Sequence, residues 1–158
     1  MTYQIADEPV ETSLRAYVVR PSAPLLAIMV GGAWLSWPWF AFNSFAIGSP
    51  TRRKEVSMCV AAVLGTAALA GVFLALWNRD IIESKAAIRI GLHALSSFKL
   101  KMAYAICNVQ SRTFHVYEYY GGTVRKAYSV LMAGYYLRAI IVGGLDDPFW
   151  VIIISGLV

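Results

Sequence analysis

Pro24–Ile47 reads PLLAIMVGGAWLSWPWFAFNSFAI, and no charged side chain occurs from residue 21 to residue 51. A helix of that length rises about 36 Å, enough to cross a hydrocarbon core of about 30 Å with some tilt. Residues 24–47 therefore predict a first membrane-spanning helix. Trp34, Trp37 and Trp39 suit an aromatic belt at a headgroup level. Pro38 removes a backbone donor and predicts a kink.

Working outward, Ser49–Glu55 (SPTRRKE) is a short polar turn, and 56–78 (VSMCVAAVLGTAALAGVFLALWN) is again free of charge. A second span is expected there. Ala61 and Gly65, then Ala67 and Gly71, are small residues four apart, a spacing that lets helices approach closely in lipid. Residues 126–144 predict a further span broken only by Arg138, stopped by Asp146-Asp147-Pro148. The last apolar segment, 148–158, is too short to cross as a helix and reads as a short tail or half-helix.

Residues 80–111 are apolar but punctuated by charge. Lys85, Arg89 and His93 fall at i, i+4 and i+8, one polar stripe if helical, with Lys99 and Lys101 off it. A charge at a span centre costs about 2.5–3.5 kcal/mol on insertion scales. This segment is either a third crossing helix packed against the others or an interfacial helix with snorkelling lysines. Residues 112–125, with His115, Glu118 and three tyrosines before Gly121-Gly122, read as an aromatic loop in preference to a hairpin. In residues 1–23, Val10, Leu14, Tyr17 and Val18 share one helical face, which predicts an amphipathic interfacial helix. No apolar h-region precedes Pro24, so the first span is expected to act as its own insertion signal.

Composition agrees with a bilayer. Of 158 residues, 58% are hydrophobic and 15% charged. Soluble domains average about 45–50% and about 25%. Mean hydropathy is +0.57, net charge +5 and the pI near 9.4. The basic residues cluster at span ends, so anionic headgroups are the expected partner of that charge and nucleic acid is not. Five cations flank the N-terminal side of the first two spans (Arg15, Arg20, Arg79, Lys85, Arg89) against three in the turn between them (Arg52, Arg53, Lys54), which slightly favours a cytoplasmic N-terminus. The fold expected is a single all-α, polytopic membrane bundle with three to five embedded helices, in a bacterial inner membrane.

Chemistry is sparse. His115 and Glu118 form one HxxE, and a metal site would need further ligands. The glycine pairs lack a phosphate-loop frame, and no GxSxG occurs. Cys59 and Cys107 read as buried thiols. No cofactor, metal or catalytic residue is expected. Arg138 is the sharpest polar feature, since an ionisable residue inside a span is a functional hypothesis by default. It could pair with Glu118 or Asp146, or meet a lipid phosphate. Lys85, Arg89, His93 and Arg138 are the candidate lipid or partner contacts.

In size and architecture alone, the chain resembles small polytopic immunity proteins that shield a bacterial inner membrane from pore-forming toxins. No motif carries that likeness, so no residue role follows from it. The function expected is non-catalytic: an immunity factor, assembly factor or complex subunit that binds a membrane partner or itself. The alternatives are an oligomeric transporter or channel, with Asn43, Thr66 and Arg138 as polar candidates, and an enzyme acting on lipid.

Overall fold

The computed structural model describes residues 9, 12–82 and 84–155, and among them it is all-helical with no strand. Six helices follow one 3-10 turn at Arg15–Tyr17: α1 (Ser22–Val30), α2 (Ala33–Ile47), α3 (Arg52–Asn78), α4 (Lys85–Tyr119), α5 (Tyr128–Gly143) and α6 (Pro148–Ile154).

The apolar run at 24–47 is not one helix. Gly32 sits at φ +104°, a backbone conformation that L side chains rarely adopt, and it ends α1 and starts α2 in one step. The two then run back along each other. Ser36 Oγ donates to Pro24 O at 2.7 Å, whereas a continuous helix would hold those residues about 18 Å apart along its axis. Both ends of the run meet at the same place. Val19 N donates to Asn43 Oδ1 at 3.1 Å, and Thr12 Oγ1 to Ala46 O at 3.0 Å. The expected single span is therefore a helical hairpin. Pro38 lies inside α2, but the sharp reversal is made by the glycine pair.

α3 and α4 form the long antiparallel frame, 27 and 35 residues, or about 40 and about 52 Å. Aromatic rings fill glycine notches between them. A Cβ on Gly65 would lie 2.6 Å from Phe98, and one on Gly91 would lie 2.4 Å from Phe73. Ser84 caps α4 by accepting from Ala87 N at 3.1 Å, after a turn in which Asp80 takes φ +57°. α4 continues unbroken through residues 112–119. The aromatic loop expected at 112–125 is thus helical over most of its length, because Gln110, Thr113, Phe114 and Tyr117 continue the buried face of 95–106 at helical spacing.

Three clusters of buried side chains divide the interior along this frame. Val18, Ile47, Phe114 and Tyr117 close the end near Ser49. Ile28, Trp37, Phe40, Cys59 and Ile106 fill the middle. Phe73, Leu95 and Ile152 close the end near Asp80. α1 and α2 enter the bundle from the Ser49 end, and α6 enters from the other. Before α1 the chain is a 3-10 turn and then extended, with Val18 O accepting from Arg125 N at 2.8 Å. That replaces the amphipathic helix expected over 1–23 for its described part, while residues 1–8, 10 and 11 lie outside the described residues.

Candidate membrane and partner surface

Two short helices stop inside the length of the frame, and a cation meets each stop. α6 brings its last carbonyls against α4, where Lys99 is 1% exposed. Lys99 Nζ donates to Ile152 O and, at 2.7 Å, to Ser155 O. α1 ends against α5, where the half-buried Arg138 donates through Nη1 to Met29 O at 3.4 Å. The last carbonyls of a helix have no partner within it and carry its negative dipole end. In a medium without water such groups need a donor from elsewhere in the chain. Arg138 therefore pairs with neither Glu118 nor Asp146. Glu118 Oε1 accepts from Arg20 at 3.1 Å instead.

The α1–α5 crossing that brings Arg138 to α1 is set by glycine. A Cβ on Gly134 would lie 2.3 Å from Leu35 Cδ2 and 3.7 Å from Gly31 Cα. Arg138 is one turn further along that face of α5.

Two buried polar clusters tie the Ser49 end together. Asn43 bridges Val19 N and Gln110 Oε1, the latter at 3.3 Å, and Gln110 Nε2 donates to Phe40 O at 2.7 Å. Glu55, in the first turn of α3, is fully buried, and its Oε1 accepts from Ser49 Oγ and from Thr51 Oγ1 at 2.7 Å. A carboxylate there also faces the positive end of the α3 dipole.

Large apolar side chains are exposed along two of the helices. Val60, Leu64, Leu69 and Val72 of α3 are exposed, and so are Met132, Tyr135, Tyr136 and Ile140 of α5. α3 is one helix long and apolar enough to cross a membrane, and only 28% of its most apolar window is buried. A groove of about 400 Å3 between α2, α3 and α6 is walled by Trp34, Trp37, Val60, Val63, Leu64 and Ile153, among others.

Lys85, Arg89 and His93 are all exposed on the first turns of α4, a single stripe as the spacing requires. Arg138 lies on another helix and does not join them. Of the four small residues proposed for packing, Gly65 receives Phe98, but Ala61 is exposed and Gly71 has open space where a side chain would be. The buried stripe of α3 is Cys59, Ala62, Thr66, Ala70 and Phe73. Sequence reading passed over Lys99 as a buried residue. The signal was present, because Lys99 shares the face of Leu95, Ala103, Ile106 and Gln110. Glu55, expected at the end of the polar turn, lies instead in the first turn of α3, where the fold of the hairpin covers it. His115 is exposed, one helical turn from the Arg20-paired Glu118.

No protein-family model matches the chain, and no curated protein or solved structure shows significant similarity to it.

Proposed function

We propose that the chain is an integral membrane protein that does no chemistry of its own and works by presenting its embedded faces to a partner membrane protein, as an immunity factor, assembly factor or complex subunit does. α5 carries this reading. It is sixteen largely apolar residues with Gly134 its one buried residue, and it packs on the body through α1. So much exposed apolar surface is stable only against lipid or another apolar helix. In this reading α3, α4 and α5 cross the bilayer, while the α1–α2 hairpin and α6 enter from opposite sides and stop within it. Arg15, Arg20, Arg52, Arg53, Lys54, Arg125 and Lys126 gather at the Ser49 end, against Arg79, Lys85 and Arg89 at the other. That asymmetry favours a cytoplasmic Ser49 end in a bacterial inner membrane.

The test is alkaline carbonate extraction, followed by mild-detergent capture of the tagged protein from its native membrane and mass spectrometry. The protein should stay with the membrane fraction and bring down a stoichiometric partner. Tyr136→Ala with Ile140→Ala should release that partner without loss of helicity. Capture of the chain alone would overturn the reading.

One observation favours a second reading, an oligomeric transporter or channel component: two short helices end within the frame from opposite sides, an arrangement that transporters use to build ion sites. Its polar candidates, however, are engaged within the chain. Asn43 bonds Gln110, Thr66 Oγ1 donates to Ala62 O, and Arg138 bonds Met29 O. Ion flux in proteoliposomes that changes selectivity with Arg138→Ala would establish it.

A further inference from the structure

A crevice of about 420 Å3 separates the N-terminal turns of α1 and α5. Its rim is basic: Arg20 on one side, Arg125 and Lys126 on the other. Its lower walls are apolar, formed by Ala23 and Leu26 on α1 and by Leu131 on α5. We infer that this crevice binds one anionic phospholipid, with the phosphodiester at the rim and an acyl chain against Leu26 and Leu131. The inference rests on the membrane reading above.

Two of the rim cations have partners within the chain. Arg20 is ion-paired to Glu118 at 3.1 Å, and the Arg125 guanidinium lies over the Tyr17 ring at 5.4 Å. Among the described residues lining the crevice three are cationic and none is acidic. Arg and Lys are the side chains that bind phosphate, Arg through its planar fork of donors and Lys as a point charge. Tyr17, Tyr119, Tyr120 and Tyr128, all exposed at this end, suit the headgroup level. The lining changes from cationic to apolar within six residues, from Arg20 to Leu26 on one wall and from Lys126 to Leu131 on the other. Free phosphate would use the rim and leave the apolar walls without a purpose. A lipid uses both.

The experiment is native mass spectrometry of the full chain from micelles holding equal phosphatidylglycerol and phosphatidylcholine. One phosphatidylglycerol per chain should be retained in preference to phosphatidylcholine. Arg125→Gln with Lys126→Gln should cut that preference by about thirtyfold, the attraction two basic residues have for an anionic membrane surface. Both residues are exposed, so the variant should fold, and circular dichroism checks that it does. Arg79→Gln, an exposed cation at the far end, should leave the preference unchanged. Equal retention of the two lipids, or a preference that survives Arg125→Gln with Lys126→Gln, overturns the inference. Displacement of the lipid by millimolar inorganic phosphate would assign the rim to a free anion and also overturn it. Release of the chain by alkaline carbonate would sink the membrane reading itself, whereas an embedded chain without lipid preference sinks this inference only.

Discussion

Replacing Lys99 by Met tests whether a buried cation is what holds α6 in place. Methionine keeps the length of the side chain and removes its three donors. Lys99 Nζ bonds Ile152 O and Ser155 O, at the end of a helix of only seven residues. Each carbonyl left unpaired out of water costs about 1–3 kcal/mol. Two of them give about 2–6 kcal/mol, and relief of the desolvation cost of the ammonium offsets part of that. A net loss of about 2–4 kcal/mol is expected. Ile152, with the half-buried Phe149 and Ile153, packs this short helix onto Phe73 and Leu95, so its detachment should precede global unfolding. The assay is SDS titration in mixed micelles followed by far-ultraviolet circular dichroism, with limited proteolysis at residues 144–147 as the local probe. Lys101→Met is the control. Lys101 is exposed two residues further along α4, and its replacement should stay within about 0.5 kcal/mol. If Lys99→Met unfolds at the same midpoint as Lys101→Met and resists protease as well, the capping argument is wrong.

Asn43→Ala should destabilise by about 2–4 kcal/mol in the same titration, because it strands the buried Val19 N–H and one side of Gln110. Gly134→Leu should cost about 1–3 kcal/mol by driving a side chain into Leu35, and it should free α5 to cross-link elsewhere. Gly71→Ala, by contrast, meets open space and should add about 0.5–1 kcal/mol. His115→Ala with Glu118→Ala should leave protein level and partner capture unchanged, and loss of an activity with levels intact would restore the enzyme reading.

Helical content was legible residue by residue where one period dominates. In α4 the buried positions Leu95, Lys99, Ala103, Ile106 and Gln110 recur every three or four residues. The same stripe carries the helix on through Phe114 and Tyr117, in the stretch that reads by composition as an aromatic loop. The α3 packing face was misplaced for a different reason. Gly65 and Gly71 fit a small-residue spacing, but which face meets α4 depends on where Phe98 and Phe73 lie, and those contacts are long-range.

The sequence by itself determined the class: a helical chain of high apolar content, with most of its cations near segment ends, since composition and 3.6-residue periodicity are local properties. It also marked a stop at Asp146-Asp147-Pro148, where α5 has ended and α6 begins. Only the tertiary structure decided that the longest uncharged run folds back on itself instead of crossing. Length and hydropathy are the same for a straight helix and for a hairpin. The difference lies in whether Ser36 can reach Pro24 O and Asn43 can reach Val19 N. The same holds for Lys99 and Arg138. A cation in an apolar segment reads from sequence as a site or a snorkelling side chain. Here each meets the carbonyl end of a helix distant in the chain, and that pairing exists only after the helices have packed.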